Sequence, residues 1–184
     1  VVGARGQVDR GEQVLRGVNT SNAPIVHVDA GILTLADTGA LATDVTIASA
    51  GTFSNNGTTT GLVTNNGTFH SSGTLNAATL LALINNGGAT ASASGQINGE
   101  VQNAGTFNAT GALGGITQFD QAATGQLVLG GDMEVGAFDG LGTVDTGFHT
   151  LTVGTGGANS SFGGTISGNG GLTKTGGGDF TLGG

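Results

Sequence analysis

The chain has 184 residues, a formal net charge of -8, 39 glycines, one proline and no cysteine. Only four residues are Lys or Arg, so the clustered cations that neutralise phosphates are missing and nucleic acid and anionic lipid are excluded as partners. With 36% of residues hydrophobic and only 9% charged, the composition is the reverse of a disordered chain, and its glycines lack the three-residue period of collagen.

The cations are Arg5, Arg10, Arg16 and Lys174, so nothing between Gly17 and Thr173 is positive, while that interval holds nine acids. The absence of cysteine suits an exported chain, because no disulfide can lock it during translocation. The longest apolar run, Leu80 to Ile84, is too short to span a bilayer. The Val1 start reads as that of an excised or processed segment, with any leader or anchor expected outside it.

Residues 1–24 hold most of the mixed charge, and Gly6, Gly11 and Gly17 interrupt any helix there. This segment is expected to be an N-terminal cap or lead-in strand, since a solenoid needs an atypical terminal unit to cover its open edge. From Ile25 a period of two takes over: Ile25 to Val28, Ile32 to Leu35 and Val45 to Ile47 are short alternating runs bounded by Gly, Asp, Asn or Ser. Strands this short must stack on neighbours to persist.

The centre carries an internal repeat. Val63-Thr64-Asn65-Asn66-Gly67-Thr68-Phe69 aligns with Val101-Gln102-Asn103-Ala104-Gly105-Thr106-Phe107, and Leu83-Ile84-Asn85-Asn86-Gly87 falls midway. One coil is therefore about 18 to 20 residues, within the solenoid range. Val63, Leu83 and Val101 are expected one above another in a core stack, as are Phe69 and Phe107 with one coil between them. Asn65, Asn85 and Asn103 are expected to form a ladder, because Asn suits corners and its amide can bond the Asn of the next coil. A further Asn55-Asn56-Gly57, ten residues before its counterpart at 65, suggests the same chemistry at a second corner of one coil. Asn76 to Leu83 is the one stretch where a helix, N-capped by Asn76, competes with a core-facing strand and corner.

From Gly111 the short runs resume through Gln126 to Leu129, Met133 to Val135 and Thr150 to Val153, without a boundary or linker. The chain closes on Ser167 to Gly184, SGNGGLTKTGGGDFTLGG, whose short apolar runs and glycine corners describe one further coil. The expected fold is thus all-β: a single-stranded right-handed parallel β-helix of about nine coils, continuous over residues 25–184.

The same terminal stretch resembles the passenger-associated transport repeat of type V autotransporters, which runs G-x-G-G-L-T-K-T-G-x-G-x-L/F-T-L. Gly168, Gly170, Gly171, Leu172, Lys174, Gly176, Gly178, Phe180 and Leu182 fill its places here. The match covers about a tenth of the chain. It implies a passenger exported across the outer membrane to the bacterial surface or released, with a C-terminal membrane barrel in the full-length protein. It also implies that the last coils fold first and template the rest.

No residue pattern carries catalysis. The acids, among them Asp120, Asp132, Glu134, Asp139 and Asp145, read as scattered on solvated corners, without an adjacent Asp pair or a lyase arginine. His27, His70 and His149 fall in separate coils, and neither G-D-S-G nor G-x-S-x-G is present. Thr-x-Thr begins at Thr58, Thr150 and Thr173 but not once per coil, so an ice-binding array is not expected. The chain is expected to be a non-enzymatic module without metal or cofactor, working in adhesion or self-association with host-cell or neighbouring bacterial surface components. The alternatives are a stalk presenting another domain and a polysaccharide-active β-helix enzyme.

Overall fold

The computed structural model describes residues 7–8, 11–19 and 25–184. All regular structure in these residues is strand, 22 segments in one sheet whose pairings are parallel throughout. The chain winds as a β-solenoid of about nine turns. Each turn crosses three faces, with some strands, such as Ile25–Leu35 and Thr74–Asn85, running from one face onto the next, and the strands pair with those of neighbouring turns.

Register partners define the faces. On face 1, Val26, Val45, Val63, Leu83, Val101, Phe119 and Phe138 succeed one another. On face 2 the succession is Leu33, Phe53, Phe69, Ala91, Phe107, Leu127 and Val144. Face 3 carries Leu41, Thr59, Leu75 and Ile97, then Leu113, Met133, Leu151 and Leu172. A turn is not a fixed length: Val45 to Val63 is 18 residues, whereas Gly140 to its partner Phe162 is 22. The corners absorb the difference.

Alternation drives this winding. In strands such as Thr90–Ala93 and Thr106–Ala109 every second side chain is buried, so one face of each short strand faces the lumen and the other faces solvent. Phe69 and Phe107 are fully buried with Ala91 between them, a large-small-large sequence that fills the lumen without a clash. The aromatic column crosses the lumen at Phe107, which meets Phe119 of face 1 edge-on at 5.4 Å, and continues through Phe138 to Phe162.

Corner glycines are set by close approach as much as by backbone angle. A Cβ on Gly95 would stand 1.9 Å from the Gly73 carbonyl oxygen, and one on Gly73 would stand 2.0 Å from that of Gly57. These three glycines form a column in which backbone packs on backbone.

The stretch Asn76 to Leu83 lies within one strand, Thr74–Asn85, and is not helical. Its pairing slips twice, between Asn76 and Leu81 and between Leu81 and Leu83, and Leu80 is 60% exposed. The extra residues form a bulge at the corner between faces 3 and 1, which puts Leu80 outside the core. Within residues 1–24, Gln7–Val8, Glu12–Leu15 and Val18–Asn19 are strands paired to the first full turn. The remainder of that expected cap, including Arg5 and Arg10, lies outside the described residues.

Candidate functional site

The side chains that read as a repeat in the sequence come together inside the solenoid. Val63 pairs with Leu83, and Leu83 with Val101, in one buried column. Two residues on, Asn65 donates from Nδ2 to Oδ1 of Asn85 at 2.8 Å, and Asn85 donates likewise to Asn103 at 2.8 Å. Each amide also donates to a backbone carbonyl of the following strand, Thr90 for Asn65, Thr106 for Asn85 and Gln126 for Asn103. The ladder has a fourth member that the spacing did not reveal: Asn103 donates to Oε1 of Gln121 at 2.9 Å, and Gln121 donates to the Thr143 carbonyl. These buried amides are partnered, which is the condition for a polar group to be stable inside a core.

The glycine-rich stretch from Gly168 to Leu182 supplies two strands of the last turn, Gly171–Lys174 on face 3 and Phe180–Leu182 on face 1, and Thr165–Ser167 just before it lies on face 2. Gly168 and Gly176 take positive φ at the corners. Gly170 and Gly178 admit the carbonyls of His149 and Ala158, which a Cβ would strike at 2.0 and 2.2 Å. Leu172 lies below Leu151, Phe180 below Ser160 and Leu182 below Phe162. The Lys174 ammonium turns back onto the carbonyls of Thr175 and Gly176.

A groove of about 340 Å³ runs along face 1 and its corner with face 2. Its wall is an outward column in which Ile84, Gln102, Asp120 and Asp139 occupy successive rungs. Asn86, Ala104 and Ala122 line the corner side, and the amide ladder lies beneath. Asp120 Oδ1 accepts from Gln118 Nε2 at 2.7 Å, and Asp139 Oδ1 accepts from the Ser161 backbone N–H at 2.6 Å, so both carboxylates are oriented. Adjacent rungs hold their backbones ~4.8 Å apart. Those two acids, read from sequence as unrelated, are neighbours because a turn places residues 19 positions apart side by side. Such a pair can accept hydrogen bonds from the hydroxyls of an extended chain laid along the solenoid axis.

The remaining candidates stay apart. His27 is outward on face 1 and His70 outward on face 2, while His149 Nδ1 lies 3.8 Å from Asp132 Oδ1 at a corner. Among the described residues, no three His, Asp or Glu side chains are grouped so as to hold a metal ion. No helix of the described residues is long and apolar enough to cross a membrane. No protein-family model, curated protein or solved structure matches the chain.

Proposed function

We propose that this chain is a segment of a type V autotransporter passenger, carried to the bacterial surface or released from it, and that it acts there in adhesion or self-association. The observation that supports the reading is the last turn, where Gly168 to Leu182, the residues that resemble the transport repeat, supply the face 3 and face 1 strands and their corners, with Thr165–Ser167 completing the turn on face 2. About nine turns at ~4.8 Å each form a rod roughly 43 Å long, and long solenoid faces suit recognition by many weak contacts. The partners are host-cell or neighbouring bacterial surface components, and the acidic charge disfavours nucleic acid. The full-length protein would carry a C-terminal membrane barrel.

The test has two parts. Protease treatment of intact cells producing the full-length protein should release this segment, and beads coated with the purified chain should bind host cells or one another. Retention inside the cell would overturn the export reading. Surface exposure with inert beads would leave a stalk. The oriented Asp120 and Asp139 favour a second reading, a polysaccharide-active groove. Turnover of a polysaccharide that is lost in both Asp120→Asn and Asp139→Asn would establish it.

A further inference from the structure

Asparagine followed by glycine is a chemically labile pair, because glycine has no Cβ to shield its backbone nitrogen from the preceding side-chain amide. The chain has five such pairs: Asn56-Gly57, Asn66-Gly67, Asn86-Gly87, Asn98-Gly99 and Asn169-Gly170. The fold holds the first four by the side chain. Asn66 is fixed on both sides, since Nδ2 donates to the Ile47 carbonyl at 3.1 Å and Oδ1 accepts from Asn86 at 2.8 Å. The backbone nitrogen of that pair is occupied as well: the Gly67 N–H donates to Oδ1 of the buried Asn65 at 3.0 Å. Asn86 is tied to Asn66 and Asn98 to Asn76 through Nδ2, and Asn56 Oδ1 accepts from Ser72 at 2.9 Å. Asn169 differs. It is exposed in the corner between Thr165–Ser167 and Gly171–Lys174, and among the described residues nothing bonds its side-chain amide or the Gly170 N–H.

We propose that Asn169 is a site of spontaneous covalent modification, the asparagine at which the folded chain deamidates first. The Gly170 backbone nitrogen attacks Cγ of Asn169. A Cγ–N bond forms and closes a succinimide ring, the Cγ–Nδ2 bond breaks, and ammonia leaves with the proton given up by the Gly170 nitrogen. Water then opens the ring at one of its carbonyls and leaves aspartate or isoaspartate, so the only co-reactant is solvent. Either product puts a carboxylate on this corner close to Asp145, whose Oδ1 lies 2.9 Å from the position of a Cβ on Gly168. The Lys174 ammonium is committed to the carbonyls of Thr175 and Gly176 and does not neutralise it. Isoaspartate also lengthens the main chain by one carbon where backbone is tightly packed, since a Cβ on Gly170 would stand 2.0 Å from the His149 carbonyl oxygen. The Gly171 N–H donates to that same carbonyl, so the added carbon displaces the start of the Gly171–Lys174 strand. The triplet at 65–67 has the opposite property: Asn65, by holding the Gly67 N–H, keeps Asn66 from cyclising.

The experiment compares the folded chain with the same chain in guanidinium chloride, both held at mildly alkaline pH in heavy-oxygen water. Peptide mapping by mass spectrometry then follows each Asn-Gly pair, separates aspartate from isoaspartate, and detects the oxygen that solvent contributes. Unfolded, all five pairs are followed by the same residue and have lost their partners, so their rates should agree within about threefold. Folded, Asn169 should keep its unfolded rate within about threefold, whereas Asn66 should slow by about a hundredfold because it must wait for local opening. Asn169→Gln should abolish the first modified species and leave the rates at the other pairs unchanged, with circular dichroism checking that the solenoid is retained. The comparison of folded and unfolded wild-type chain decides the matter even where that variant folds poorly. Asn66 converting as fast as Asn169 in the folded chain, Asn169 slowed more than about tenfold by folding, or a product without solvent oxygen would overturn the proposal.

Discussion

Asn85 donates from Nδ2 to Oδ1 of Asn103 over 2.8 Å, with both side chains buried and their backbones paired on neighbouring rungs. Asn85 also accepts from Asn65 and donates to the Thr106 backbone carbonyl, so one side chain satisfies two neighbouring amides and one backbone carbonyl. Asn85→Ala removes the donor to Asn103 and Thr106 and an acceptor of Asn65 together, and should cost about 3 kcal/mol in denaturant unfolding. The next residue gives the contrast. Asn86 donates to Asn66 in an exposed ladder of equal length, 2.8 Å, and Asn86→Ala should change stability by no more than about 0.5 kcal/mol.

Phe107 is fully buried, with Ala91 on the preceding rung and the Phe119 ring edge-on at 5.4 Å. Phe107→Ala should cost about 3 to 5 kcal/mol. Ala91→Leu tests the same packing from the other side, since Phe69 and Phe107 occupy the space on both neighbouring rungs. It should destabilise by about 1 to 3 kcal/mol through overpacking. A cost under about 1 kcal/mol for Phe107→Ala would mean that the lumen at this rung relaxes freely.

The parts of this architecture legible in the sequence are those where one residue type repeats on successive rungs. Val63, Leu83 and Val101 with Asn65, Asn85 and Asn103 are such a case, because the turns between them are 20 and 18 residues. Gln121 continues the ladder with a longer side chain and no Asn-Gly corner, so no repeat marks it. Asn55 shows the converse. It sits in the same Asn-Asn-Gly triplet as Asn65, yet on face 2 its rung neighbour is Ser71, to which it donates at 3.2 Å. A threonine column on face 2 was hidden for a different reason. Thr52, Thr68, Thr90 and Thr106 are 16, 22 and 16 residues apart, because corners of different length separate strands of equal length. A search for Thr-x-Thr at constant spacing misses a column whose period exists only in the register. The Asp120 and Asp139 pair was hidden in the same way.

Two glycine substitutions separate crowding from conformational freedom. Gly95→Ala would put a methyl 1.9 Å from the Gly73 carbonyl oxygen, where only backbone could give way. It should cost about 3 kcal/mol or more, read as a lowered unfolding midpoint. Gly177 has ordinary backbone angles and nothing within 4 Å of the added methyl, so Gly177→Ala should be neutral within about 0.5 kcal/mol. Equal effects from the two would mean that backbone entropy, not contact, sets the use of glycine at these corners.

The last turn offers a way to separate stability from folding order. Its strands pair with Thr143–Asp145, Thr150–Val153 and Ser160–Phe162, and among the described residues no other strand pairs with them. Leu172 is accordingly 38% exposed and Leu182 55%, while Val101, Phe107 and Leu113 of an interior turn are at most 2% exposed. Apolar burial contributes in proportion to area removed from water, so deleting 168–184 should lower equilibrium stability less than deleting the interior turn 101–118. Refolding should respond in the opposite order if the terminal turn is the template on which the others wind. A turn formed early carries its loss into the folding rate, and a turn added late carries it into unfolding. Lys174, bonded to the carbonyls of Thr175 and Gly176, fixes the corner after Gly171–Lys174 by contacts within two residues, which need no distant strand. Stopped-flow refolding of the two deletions should therefore show the chain lacking 168–184 slower by about tenfold, despite its smaller loss of stability. Equal refolding rates, or a slower chain lacking 101–118, would make the terminal motif one turn among the others in folding.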